Sequence, residues 1–177
     1  MSTPRTDPPL AADEVTMLRS FLDFYRATLR RQAEGLTREQ LAIALAPSTM
    51  TLGGMLKHLA LVEESWLVET FGGEQLGAPW ADVDWEADPD WDWHSAADDD
   101  ASSLLDLHAR AAAEVDRRVD DALGGEGLDS LSVKHSRRRP DERFSLRWIL
   151  VHLIEEYARH AGHADLIRES IDGATDL

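Results

Sequence analysis

The stretch SLRWILVHLIEEYARHAGHADLIRESIDG, Ser145 to Gly173, decides the fold. Leu146, Ile149, Leu153, Ala164 and Ile167 return at the three- and four-residue steps of one helix face, and Gly173 supplies a stop. A long amphipathic helix is therefore expected from near Ser145 to about Ile171. Ionisable residues sit inside its apolar stripe. Ile149, Leu153, Glu156, His160, His163 and Ile167 lie on one heptad-like line that begins and ends apolar, which turns a carboxylate and two imidazoles toward the core. Burying such groups without partners is costly. A divalent cation that pairs with the carboxylate and takes the imidazole lone pairs accounts for the pattern, whereas a Glu156–His160 hydrogen bond is the bland alternative.

Working outward, three more amphipathic segments appear. Asp13 is an N-cap for a helix through Val15, Leu18, Leu22, Tyr25 and Leu29 that stops at Gly35, and Thr37-x-x-Gln40 fits a capping box for a short helical piece. A second helix from about Thr51 carries Leu52, Met55, Leu59, Val62 and Trp66 and ends near Gly72-Gly73. A third runs from about Ser102 to Leu123 with Leu104, Ala111, Val115 and Val119 inward. No strand-like alternation competes, so the expectation is an all-α fold: a four-helix bundle with a long connection between its second and third helices. A flexible segment, 1–12, should precede a single bundle domain, 13–177.

The two long connections differ in chemistry. The one from about Gly73 to Ala101 holds Trp80, Trp85, Trp91 and Trp93 among many Asp and Glu, with no Lys or Arg. The tryptophans either pin the connection to the bundle or form a lid or pocket wall. The connection from Gly124 to Phe144 contains SRRRPDER, Ser136 to Arg143, a basic loop that is either solvated and paired internally or recognises an anion.

Composition narrows the function. The 177 residues carry 18 Lys plus Arg against 34 Asp plus Glu, a formal net charge of −16, which repels nucleic acid and anionic membrane surfaces. No apolar run is long enough to span a bilayer and no signal-peptide core is visible, so a cytoplasmic protein acting on a small-molecule substrate is expected. With no cysteine, disulfides and Cys-based metal sites are excluded, and any metal must use His, Asp or Glu.

Glu156 and His160 are one helical turn apart, so both can reach one ion, and a third ligand must come from another helix. His58, beside Met55 and Val62, is the first candidate. His108, on the stripe Leu104, Ala111, Val115, is the reserve, and His163 divides between ligand, support for a ligand and polar core contact. His94 and His135 fall in expected loops, and His152, beside Trp148 and Glu155, reads as a hydrogen-bonded core residue. Two histidines and one carboxylate suit zinc first, with iron or nickel as alternatives, and three protein ligands leave an open position. There is no His-Glu-x-x-His signature and no pair of Glu-x-x-His motifs, so one mononuclear site is the simplest count. Arg159 and the arginines at 137–139 are candidates for holding a carboxylated substrate.

On these residues the chain resembles the DinB superfamily of metal-binding four-helix bundles, and more closely the branch known as domain of unknown function 664. The segments that carry the likeness are MTLGGMLKHLALVEESWL, Met50 to Leu67, and Ser145 to Gly173, and it extends over about residues 13–173. The resemblance implies one ligand from the second helix, matched by His58, and two from the fourth, matched by Glu156 and His160. Many members have His at the earlier position of that pair. The Glu here is similar to mycothiol-dependent maleylpyruvate isomerase, with its His, Glu and His. The resemblance further implies a thiol-dependent transferase or isomerase using mycothiol, bacillithiol or glutathione, with a homodimer among the assemblies it allows. Two expectations compete: a noncatalytic metal- or ligand-binding stress-response bundle in which His163 or His108 closes the coordination shell, and a metal-dependent hydrolase, whose nearest base, Glu155, lies about 100° around the helix from Glu156.

Overall fold

The computed structural model describes residues 4–175. Four long helices form the bundle: α1 (Glu14–Ala33), α3 (Leu52–Glu64), α5 (Ala101–Leu123) and α6 (Leu146–Asp172), joined by the short α2 (Arg38–Leu41) and α4 (Trp91–Ser95). The all-α expectation holds, and local chemistry explains where the helices begin. Asp13 accepts from Thr16 N at 3.0 Å, Thr37 and Gln40 form a capping box, Thr51 accepts from Gly54 N at 3.0 Å, and Ser145 accepts from Trp148 N at 3.2 Å. Gly173, at φ 76°, closes α6 in the left-handed conformation that glycine adopts without strain.

The interior is filled by Leu22 and Leu29 of α1, Met55 and Leu59 of α3, Leu104, Val115 and Val119 of α5, and Ile149, Leu153 and Ile167 of α6, all buried. Each contributes roughly 1.5–3 kcal/mol relative to an exposed side chain. One buried polar tie crosses all four helices. Glu63 accepts from Arg26 Nε at 2.8 Å, from Arg26 Nη2 at 2.6 Å and from the Tyr157 hydroxyl at 2.5 Å. Tyr157 has one proton and gives it to Glu63, so His108 Nε2, 2.7 Å from the phenol oxygen, must donate to it. That fixes a neutral tautomer whose buried Nδ1 has no partner among the described residues. Burial, helped by the charges of Arg26 and Arg30, pushes the His108 imidazole down to about 3.

Past Glu64 the second long helix does not end. It continues as a π-helical segment, Ser65–Phe71, with Gly72 N donating to Leu67 O at 3.2 Å. It thus reaches the expected Gly72-Gly73 stop, but in a wider coil.

Both long connections are more ordered than their sequences imply. The first contains α4, so His94 lies on a helix rather than in the expected loop. The second contains an antiparallel pair, β1 (Leu131–His135) and β2 (Arg143–Ser145), with Leu131 opposite Ser145 and His135 opposite Arg143. Val133 of β1 lies so close to Gly73 (φ 73°) that a Cβ there would come within 2.6 Å of its Cγ1. The hairpin is thereby seated on the end of the π-helical segment. The expected flexible segment 1–12 falls partly outside the described residues; within them, Arg5 lies over the Phe24 ring, 4.9 Å from its centroid. Among the described residues no helix is long and apolar enough to cross a membrane.

Candidate metal centre

His58 projects from α3, and Glu156 and His160 project one turn apart from α6. One ligand atom from each lies within 4.8 Å of the other two. The His58 and His160 rings are 5.2 Å apart at 67°. On its far side His58 Nδ1 is 2.7 Å from Asp92 Oδ2, and Asp92 is only 3 % exposed. The carboxylate holds the proton on Nδ1, which leaves the Nε2 lone pair for the cluster. Trp93 stacks on His58 at 4.7 Å and 28° and also borders His160 at 5.7 Å. Gly54 makes room for it: a Cβ there would stand 2.6 Å from Trp93 Cε3.

His160 is buried, and its Nδ1 has no partner among the described residues. Its Nε2 is 3.8 Å from Glu156 Oε2, too long for a hydrogen bond, so the bland explanation of the pair does not account for this geometry. Burial pushes the imidazole down to about 4, with the neighbouring His58 and His163 adding to the effect, so it stays neutral with a lone pair to give. Two imidazoles, one carboxylate and unpartnered buried nitrogen fit a divalent cation held by three protein ligands.

The reserve residues fall elsewhere. His108 is bound into the core by Tyr157 and does not join the cluster. His163 lies beside it, its ring 6.0 Å from that of His160, with a buried Nδ1 that has no partner among the described residues. His152, Glu155 and Glu156 of the same helix form a second group within 4.8 Å. Glu155, however, is exposed and bound by Arg159 at 2.5 Å, so Arg159 faces solvent rather than a cleft. His152 is not the hydrogen-bonded core residue expected. Its nitrogens stand 3.4 Å from Glu155 and 3.6 Å from Glu156, and its ring stacks on Trp148.

Two clefts lie nearby, one lined by His58 of the cluster and the other reaching it only through His152. One of about 820 Å³ is lined by His58, Asp92, Trp85 and Trp93. The other, about 660 Å³, is bounded by Trp66, Trp148, His152 and the arginine-rich hairpin tip. Both readings of the tryptophans hold. Trp80 pins the connection by donating Nε1–H to Glu64 Oε2 at 2.7 Å and packing with Ala60, Leu107 and Ala111, while Trp85 and Trp93 wall the first cleft. Sequence reasoning missed Asp92 and Gly54, and had Trp93 only as one of four tryptophans that pin the connection or wall a pocket. The only signal was a carboxylate and an indole in a connection already marked as unusual.

A family model described as mycothiol-S-transferase matches residues 17–173. It is a DinB-like, mycothiol-related family, in agreement with the resemblance carried by the His58 and Glu156–His160 segments. A comparison with curated proteins gives no match.

Proposed function

The chain belongs to the mycothiol-S-transferase family, and from that premise we propose that it is a metal-dependent thiol transferase. In this reading His58, Glu156 and His160 hold one divalent ion, zinc ahead of iron or nickel. The bundle then joins the sulfur of a low-molecular-weight thiol, mycothiol first, to a small electrophile. The observation that carries the reading is the His58 imidazole, tied by Asp92 through Nδ1 and offering Nε2 to the two α6 residues.

A bound divalent ion supplies Lewis acidity that lowers the pKa of a thiol as it lowers that of water. The rest falls to the protein's own groups. With no cysteine in the chain, the nucleophilic sulfur arrives with the cosubstrate. The sulfur lone pair forms the bond to the electrophilic carbon, the leaving group departs with its bonding pair, and the thiol proton passes to a base. His152 Nε2, 3.6 Å from Glu156 Oε1 and lining the second cleft, is placed to accept it. In the first cleft the indoles of Trp85 and Trp93, with Asp90 in the same wall, suit a polyhydroxylated thiol: rings cover its C–H faces and the carboxylate accepts from its hydroxyls.

The test is elemental analysis of protein purified without added metal and then refilled with Zn(II), for wild type and for His58→Ala, Glu156→Ala and His160→Ala, followed by consumption of mycothiol in the presence of monobromobimane. Near-stoichiometric zinc in wild type, its loss in the three variants and zinc-dependent thiol consumption are expected. A wild type that stays empty after refilling, or a His58→Ala variant that binds as wild type does, overturns the site.

A further inference from the structure

We infer that the cleft between the π-helical end of α3, the hairpin tip and the first turns of α6 is the subsite of the second substrate, and that it selects an electrophile with a flat apolar body bearing a carboxylate. The word electrophile rests on the transferase reading; the recognition of an aryl carboxylate stands on the cleft's own residues.

One wall is a run of rings in mutual contact. Trp66 meets Phe144 edge-on at 5.0 Å, Trp148 at 5.2 Å and His152 at 4.9 Å, and Trp148 stacks on His152 at 5.0 Å and 25°. Trp148 is 41 % exposed although it sits in the first turn of a helix whose neighbouring positions Leu146, Ile149 and Leu150 are buried. The indole is stacked by His152 and flanked by Phe144 at 4.7 Å and 42°, and the part left exposed lines the cleft as an apolar surface for a ring-bearing ligand.

The opposite rim carries the charge. Lys134 is engaged by Glu69 at 2.7 Å and Arg139 by Glu142 at 2.8 Å, but Arg137 and Arg138 pair with no acid among the described residues. In a chain of net charge −16, acids are the more abundant partner, so two guanidinium groups held apart from them at a cleft rim are available for an outside anion. Guanidinium takes a planar carboxylate through two parallel hydrogen bonds. A thiol without a carboxylate does not call on that fork, and although Arg137 borders both clefts, Arg138 lines only the Trp148 side, so the pair of guanidinium groups is complete only there.

Position completes the argument. His152 lines this cleft and stands 3.6 Å from Glu156, so one side chain separates the cleft from the cluster. Ser65, Glu69, Lys134 and Arg137 border both clefts, so the two ligands would meet at that shared wall.

The test is calorimetric titration of the full-length protein, zinc-loaded and metal-free, with 2-naphthoate and with its uncharged isostere 2-naphthamide. One saturable naphthoate site is expected in both forms, with the amide at least tenfold weaker. In Arg137→Ala/Arg138→Ala the acid should fall to the level of the amide, and in Trp148→Ala both should weaken together. Added salt should weaken only the acid. Equal binding of acid and amide, an unchanged preference in the double arginine variant, or no saturable binding in the millimolar range overturns the assignment. Naphthoate binding that requires zinc and survives loss of both arginines also overturns it, because the carboxylate is then on the metal. If zinc binding itself fails while the acid preference follows the arginines, the cleft stands and the transferase reading falls.

Discussion

Asp92→Ala is the perturbation that most directly probes how the cluster is held. Asp92 touches no ligand position of its own, yet its Oδ2 is 2.7 Å from His58 Nδ1. Removing it frees the imidazole to rotate and to place its proton on either nitrogen, and only one tautomer offers Nε2. Partners of this kind are worth 10–100-fold in metal affinity, about 1.4–2.7 kcal/mol. The cost to the fold is smaller. The His58 side chain keeps 23 % exposure, so water can replace the lost acceptor, and the change in unfolding free energy of the metal-free protein should stay near about 1 kcal/mol. The assay is competition for Zn(II) against a chromophoric chelator, run beside urea unfolding of the metal-free form. Asp92→Asn, which retains an acceptor oxygen but not the charge, should fall between wild type and Asp92→Ala. Wild-type zinc affinity in Asp92→Ala would refute the reasoning, as would a loss of affinity no larger than the loss of stability.

Three further outcomes are expected. His108 is neutral in the fold, with its pKa held at about 3 against an ordinary 6.5, so stability is fully present above pH 6.5 and is lost as pH falls toward 3. At pH 4 the loss from this group is roughly 3 kcal/mol, and His108→Gln should flatten that part of the profile in urea unfolding of the metal-free protein. Tyr157→Phe leaves the His108 N–H without an acceptor and takes one donor from buried Glu63, and should cost about 1–3 kcal/mol by the same method. Gly54→Ala drives a methyl into Trp93 and the Thr51 cap, and should cost about 1–3 kcal/mol, with a changed tryptophan emission as the indole leaves His58.

The parts of this molecule that were legible in its sequence are those fixed by neighbours a turn away. Asp13, Thr37, Thr51 and Ser145 announce their helices because a cap needs only the next three residues. Glu156 and His160 announce that they sit together because they are four apart on an otherwise apolar line, and the fold brings His58 to them. His58 required more, an apolar stripe on its own helix together with the resemblance. What stayed hidden depends on chain segments that meet only in the fold. The stripe around His108 signals burial but not the Tyr157 hydroxyl waiting on another helix. Asp92 is one acid among many in its connection until α4 carries it to His58. The β1–β2 pair is too short for alternation to stand out, and the π-helical turns of Ser65–Phe71 have the same apolar character as the α-helix they continue.

The Trp-rich connection brings a small core with it: Trp80 buried against Ala60, Leu107 and Ala111, with Trp91 packed at its edge. Between these two anchors Trp85 packs against the same core and Asp88 holds His94 at 3.0 Å, so only the exposed positions between them are free of it. Asp92 and Trp93 follow directly after the second anchor, and Trp93 N and His94 N donate to Asp90 O at 2.9 and 3.0 Å, so the brace on His58 is fixed by that anchor and by the turn before it. The scaffold thus separates what must be inherited intact from what is free to diverge. Substitutions at exposed rim positions such as Ala81, Asp82 and Glu86 should leave both the bundle's folding and the His58–Asp92 contact unaltered.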